Sequence, residues 1–292
     1  MRRTGVERMT YASDAGIREA LGGALHFLHD SQAADGSFAL ESVPSRVPLT
    51  RADNLFSTAM VLGLLPALLR PETRARASEY LLQRRDAEGH WSWLPDGSLP
   101  PDADDTACCL GALAGVDAAL DRAEGVRTLR RFRRWWGPFR TWMAGGAWGA
   151  RDRDDAVVNC NVLWAIERLG GRPTGGERAA VQRLVARTPE APRYYCSTGS
   201  LAWAAARAGI ATPALRRPAA SELAGRPLEC ALWSLACADD WPEGAELLLG
   251  LQASDGGFAA EPWVRDHSGA WQGGAVSTAF AAAALARRCG AT

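Results

Sequence analysis

Leu249-Gly250-Leu251-Gln252-Ala253-Ser254-Asp255-Gly256-Gly257-Phe258 is one of three related stretches whose shared pattern decides how the chain is read. The others are Leu28-His29-Asp30-Ser31-Gln32-Ala33-Ala34-Asp35-Gly36-Ser37-Phe38 and Leu82-Gln83-Arg84-Arg85-Asp86-Ala87-Glu88-Gly89-His90-Trp91. A degenerate copy is read in Gly145-Gly146-Ala147-Trp148-Gly149. Each full copy runs from a helix end through an acidic-glycine turn to an aromatic. Glycine takes the left-handed conformation that follows a helix end at no steric cost. The aromatic can fold back on that end, and the glutamine amide can bond exposed carbonyls or the next turn. Recurrence of such a unit marks a repeat architecture.

Between the copies, β-branched residues are sparse and apolar residues recur with helical period. About twelve helical runs are predicted, at 14–32, 54–69, 72–85, 104–120, 123–136, 154–169, 177–187, 198–208, 213–223, 228–238, 242–252 and 275–289. They alternate in character. Glu72 to Arg85 and Glu177 to Arg187 carry charge on one side, whereas Leu55-Phe56-Ser57-Thr58-Ala59-Met60-Val61-Leu62 and Ala275 to Leu285 are apolar nearly all round. The first kind packs outward and the second is buried. Six outer–inner pairs imply an all-α fold with six inner helices ringed by outer ones. Residues 1–13 are expected as a flexible tail and residues 14–292 as one domain, large enough for a sizeable core.

Bulk composition excludes several classes. The 33 acidic and 33 basic residues balance, so no net field favours nucleic acid. Every basic residue is arginine, which removes mechanisms that need a lysine. Seven cysteines form no CxxC pair and fit small buried residues of a reducing cytoplasm. No secretory signal pattern follows Arg2 and Arg3, and no apolar run is long enough to span a membrane. A cytoplasmic location is therefore expected.

The chemistry is concentrated in Pro101-Asp102-Ala103-Asp104-Asp105-Thr106-Ala107, which opens an inner run. Three carboxylates this close cannot all ionise cheaply, so one proton is held. The alternative is a plain helix cap. The same spacing recurs in Arg151-Asp152-Arg153-Asp154-Asp155-Ala156-Val157, and Asp53 opens the preceding inner run. Parallel inner helices share an end, so Asp53, Asp102, Asp104, Asp105, Asp152, Asp154 and Asp155 would gather at one rim. Capping three helices does not account for seven carboxylates. Arg51, Arg151 and Arg153 would neutralise part of this charge or bind a substrate diphosphate beside the helix N-termini.

The repeats resemble the QW-type repeats of the terpene cyclase and protein prenyltransferase superfamily. Asp102-Ala103-Asp104-Asp105-Thr106-Ala107 resembles the DxDDTA signature of class II terpene cyclases such as squalene–hopene cyclases. The resemblance implies an (α/α)6 barrel, in agreement with the helix count. It also implies protonation of an isoprenoid alkene without diphosphate ionisation, with Asp104 as general acid and Asp102 and Asp105 in support. The resulting carbocation calls for aromatic faces. Candidates at inner-helix mouths are Phe56, Trp148, Trp164, Tyr194, Tyr195, Trp203 and Trp271, with Asp53, Asp154, Asp155, Arg151 and Arg153 as further substrate contacts. Phe38, Trp91 and Phe258 are assigned to packing.

Class II cyclases of the resembled families generally add a second α-barrel, and 292 residues hold one. Three answers stay open: a cavity inside one barrel, a homodimer or second subunit as a lid, or a barrel without the activity. The long loops 40–51 and 262–274 are expected to cover the rim, and peripheral membrane contact is left open. No cofactor is required. Mg²⁺ has a place only if the substrate is a diphosphate, and no metal-ligand set is assigned. A zinc site of the prenyltransferase kind lacks a His or Cys at the start of the last helix, and of the four histidines only His267 lies in a loop near the rim. Two other readings remain: a Mg²⁺-dependent prenyl transferase or lyase using Asp53, Asp154 and Asp155, and a barrel that only binds a lipid or protein.

Overall fold

The computed structural model describes residues 13–43, 54–94, 98–117, 119–135, 137–143, 152–188, 192–212, 215–237, 241–265 and 269–291. Its α-helices are α1 (Asp14–Ser31), α2 (Leu55–Leu64), α3 (Pro71–Gln83), α4 (Ala103–Leu113), α5 (Arg122–Arg131) and α6 (Ala156–Arg168). They continue with α7 (Gly175–Ala186), α8 (Thr198–Arg207), α9 (Pro227–Cys237), α10 (Glu243–Leu251) and α11 (Gly274–Arg288). Contacts run α2–α4, α4–α6, α6–α8, α8–α9, α9–α11 and back from α11 to α2, closing an inner ring of six. Helices α1, α3, α5, α7 and α10 pack outside it, and α1 lies on α11. This is an (α/α)6 barrel.

The fifth outer position departs from expectation. Among the described residues 215–223, the helix expected over 213–223 is replaced by a 3-10 turn, Ala220–Glu222. Pro218 explains the loss: it donates no hydrogen bond and pushes Arg217 away from helical geometry. At the N-terminus, Ser13 belongs to the fold, since its hydroxyl caps α1 at the Gly16 N–H. Residues 1–12 lie outside the described residues.

The repeats are the joints between the rings. Gln32 Nε2 donates to Gly36 O and to Thr73 O of the next outer helix, each at 2.9 Å. Gln252 Nε2 does the same with Gly256 O at 2.9 Å and Ala20 O at 2.7 Å, joining the last repeat to α1. Gly36 (φ 91°) and Gly256 (φ 85°) are left-handed, and a Cβ on either would collide with the backbone of the neighbouring outer helix. The aromatic then docks inward: Phe38 N–H donates to Thr58 Oγ1 (3.0 Å), Trp91 N–H to Thr106 Oγ1 (3.2 Å) and Phe258 N–H to Thr278 Oγ1 (3.0 Å). A fourth joint is made by Phe139, whose N–H donates to Asn159 Oδ1 at 2.7 Å, after the turn Arg134–Pro138. The degenerate copy expected at 145–149 lies outside the described residues.

Among the described residues a small antiparallel sheet, order β1-β3-β2, also bears on the site: β1 (Glu41–Ser42), β2 (Pro262–Arg265) and β3 (Ala270–Gln272). No helix among the described residues is long and apolar enough to cross a membrane.

Candidate active site

The site begins at the first residue before α4. Asp102 is extended (φ −124°), and its Oδ1 accepts the N–H groups of Asp104 and Asp105, both at 2.8 Å. Its own N–H donates to Trp91 O (3.2 Å), while Ala103 N–H reaches Thr141 O (2.8 Å). The cap is thus clamped between a repeat aromatic and the 139–143 segment. Burial is the largest influence on the Asp102 carboxyl and raises it above the usual carboxylate range, while the neighbouring Asp105 and Asp104 groups that bond to it pull it down.

With its N–H engaged by the cap, Asp104 turns its side chain to the interior. Its Oδ1 accepts from Asn161 Nδ2 at 2.7 Å, and its Oδ2 from the Tyr195 hydroxyl at 2.6 Å. Burial is the largest influence on this carboxyl and raises it to about 7; the bonds from Tyr195 and Asn161 pull it down, and the charges of Asp102 and Asp155 push it up. Burial, then the Asp104 charge, drives the Tyr195 phenol well above its ordinary value, so Tyr195 stays a donor. Tyr195 is held by the sheet: Cys196 N–H donates to Trp263 O and Arg265 N–H to Tyr194 O, both at 2.9 Å.

The second acidic cluster serves a different purpose despite its matching spacing. On α6 the cap is the last aspartate of the run: Asp155 Oδ1 accepts from Val157 N–H (2.8 Å) and Val158 N–H (3.1 Å). Its Oδ2 accepts from Arg193 N–H (2.9 Å) and Tyr194 N–H (3.3 Å), which fixes the segment carrying Tyr195. Asp152 is buried against Arg134 (2.7 Å) and holds Thr141 N–H (3.1 Å). Asp154 pairs with the same Arg134 (3.2 Å), and Arg153 donates to Asp152 O (3.1 Å). The motif is displaced by three residues relative to its helix, so these groups anchor the wall without lining it.

Asp104 opens on a cavity of about 440 Å³, within the size range of small-molecule sites. Its wall combines Asp102, Asp104 and Asp105 with Phe56, Trp93, Leu99, Thr141, Trp142, Tyr194, Val158 and Val264, and with Arg193 and Arg265. Behind the wall Phe56 stacks on Trp263 (5.1 Å, 25°), which meets Tyr195 and Phe280 edge-on at 5.9 and 5.3 Å. Trp142 Nε1 donates to the Tyr194 hydroxyl at 3.2 Å.

The three acidic residues, Phe56 and Tyr194 are therefore brought together as expected, and Tyr195 touches Asp104. Asp154, Asp155 and Arg153 are not in the cavity wall, for the reason just given. Trp271 packs on Trp93 behind the wall (6.0 Å), and Trp164 and Trp203 flank Arg207 in the barrel interior. Asp53, Trp148, Arg151 and His267 lie outside the described residues. Sequence reading missed Trp93, Trp142, Asn161 and Arg207. Asn161 and Arg207 carried a signal, as polar residues in otherwise small, apolar inner runs. Among the described residues no group of three or more His, Cys, Asp or Glu side chains is placed to hold a metal ion.

No protein-family model and no curated protein sequence matches the chain. Solved structures do. The type II terpene cyclase MstE from Scytonema matches with a TM-score of 0.70 at 15% identity, covering 96% of this chain and 100% of that one. A protein from Actinoplanes matches with a TM-score of 0.70 at 19% identity, covering 94% of this chain and 100% of that one. The ent-copalyl diphosphate synthase from Streptomyces platensis matches with a TM-score of 0.54 at 18% identity, covering 95% of this chain and 67% of that one. MstE has also been solved with geranylgeranyl dihydroxybenzoate, its substrate. The chain has the class II terpene cyclase-like fold.

Proposed function

We propose that the protein is a class II-type terpene cyclase in which Asp104 protonates an isoprenoid alkene. The observation that carries this is the placement of one carboxyl. Asp104 faces a largely apolar cavity, is oriented by donors on both oxygens, and is raised by burial to about 7. An alkene is a weak base, and a positioned acid in a dry site is what its protonation needs.

In the first step the Asp104 O–H bond breaks, the alkene π pair takes the proton, and a tertiary carbocation forms at the neighbouring carbon. Attack by the next alkene of the same chain closes a ring; transfer of a proton from the final cation to water ends the sequence, and Asp104 regains its proton from solvent. Phe56, Trp93, Trp142 and Tyr194 line the cavity with aromatic faces, each worth about 0.5–2 kcal/mol to a cation. The likeness to MstE supports a prenyl chain carried on a head group as the substrate class. On this reading the reaction needs no cofactor. The Mg²⁺ reading is not favoured, because Asp154 and Asp155 are engaged by Arg134 and by the Arg193–Tyr194 backbone.

Wild type and Asp104→Asn are incubated with prenyl diphosphates and prenylated aromatic acids in deuterated water, and products are read by mass spectrometry. One deuterium in a cyclised product is expected from wild type, with a rate loss of about 10²–10⁴ in the variant. A cyclised product without deuterium, or one formed equally by Asp104→Asn, would remove Asp104 as the acid.

A further inference from the structure

Arg207 ends α8, and its guanidinium lies between the indoles of Trp164 (4.0 Å) and Trp203 (3.8 Å) in the barrel interior. Its Nη2 donates to Asn161 Oδ1 at 2.6 Å, and its buried Nε has no hydrogen-bond partner. Among the described residues no carboxylate forms an ion pair with it. A half-buried cation held by the Asn161 amide oxygen, the Cys108 thiol and two aromatic faces, with its Nε enclosed, is a poor device for stability, because desolvating a charge without a counter-charge is costly. Its position gives it another use.

A guanidinium only donates. The Asn161 atom facing Arg207 must therefore be the amide oxygen, which settles the orientation of that amide. Asn161 Nδ2 is then directed to Asp104 Oδ1 (2.7 Å) and to the Tyr195 oxygen (3.1 Å). With that oxygen accepting, the Tyr195 O–H is left to donate to Asp104 Oδ2 (2.6 Å). Every link points toward Asp104. We propose that Arg207 is a positioning residue for Asp104: through the Asn161 amide it fixes the direction of the hydrogen bonds that end on Asp104, so that each carboxyl oxygen meets a donor, Asn161 Nδ2 at Oδ1 and the Tyr195 hydroxyl at Oδ2. Donors aimed at the carboxyl favour its ionised form and so strengthen the acid against the effect of burial. Without Arg207 the amide is free to turn over and present an acceptor instead.

The groups that face Asp104 limit how this is tested. On α4 these are Asp102, Asp105 and the Cys108 thiol, 3.9 Å from Oδ1 and also beside Arg207. From α6 and its cap they are Asn161 and Asp155, with the Cys160 thiol near Asp155; on the segment before α8 there is Tyr195, and at the end of α8 Arg207 itself. Burial keeps both thiols and the phenol protonated, so within the working range the carboxyls alone titrate.

The meaning of the proposal rests on Asp104 being the acid, but its test does not require turnover. Protein carrying ¹³C at aspartate carboxyls is titrated by NMR, with the Asp104 signal assigned by its loss in Asp104→Asn. Arg207→Met and Asn161→Leu are each expected to raise the Asp104 midpoint by about one pH unit or more, and the double variant no further than the larger of the two. An unchanged midpoint in Arg207→Met, or shifts that add, would overturn the proposal. If Arg207→Met does not fold, Arg207→Lys keeps a donor but not the flat stack; a smaller rise is expected, and none overturns it. A shifted midpoint in a protein that cyclises no prenyl substrate would sink the cyclase reading and leave the positioning role standing.

Discussion

At Asp104 the same burial that holds the proton also sets how activity and stability follow pH. As the acid it must be protonated, so kcat/KM should fall as pH rises through about 7. A steady rate from pH 6 to 9 would contradict that assignment. For stability the sign is the reverse of a salt-bridged carboxylate. The folded value lies above the model-peptide value of 3.8, so the stabilising contribution is full below about 4 and is lost as pH rises through about 7. Asp104→Asn should therefore match wild type near pH 4 and gain on it above pH 7, by up to about 4 kcal/mol, in denaturant titrations. The three aspartates were legible in the sequence because their spacing is local. Asn161 and Arg207 stand out as polar residues in apolar runs, but their link to Asp104 was not legible, because it forms only when α4, α6 and α8 are brought side by side.

Each inner helix is written in small residues, and the reason is clearest at Gly111 on α4. A Cβ there would lie inside the Trp164 indole, whose displacement would break its stack on Arg207. Gly111→Ala should destabilise by about 1–3 kcal/mol in chemical denaturation and disturb Arg207 along with it. Helix starts were read to within two residues, whereas the runs expected at 54–69, 104–120 and 123–136 overran the observed ends at Leu64, Leu113 and Arg131. At 213–223 apolar periodicity outweighed Pro218 in the reading. The two acidic runs show the limit of spacing. Asp102 is the first of its cluster and Asp155 the last of its own, yet both are the residue before a helix. Only the position of the first helical turn distinguishes a run that exposes an acid from one that anchors a wall.

Across the whole barrel, the fifth outer position is the thin place. Among the described residues a 3-10 turn packed against α10 stands there, where full helices stand at the other outer positions, so fewer backbone bonds must break for it to open. Hydrogen exchange should be faster over 215–226 than over α1, α3, α5, α7 or α10; protection equal to theirs would contradict this. The interior is divided along its axis. The main cavity opens at the N-terminal ends of the inner helices. A second, of about 290 Å³, lies at their C-terminal ends, lined by Leu64, Trp164, Arg168, Ala283 and Ala286 among others. The stack of Trp164, Arg207 and Trp203 stands in the interior on which both Asn161 and the second cavity depend. The six-pair arrangement was legible because repetition and alternation are properties of the chain as written; the cavity is not, since its wall is assembled from many separate segments. Finally, the bond from Gln252 to Ala20 and the contact of α11 with α1 and α2 join the last unit to the first. Open repeat arrays fray from their ends and unfold in stages, unit by unit. A closed ring has no terminal unit to lose, so its units are expected to melt in one concerted transition.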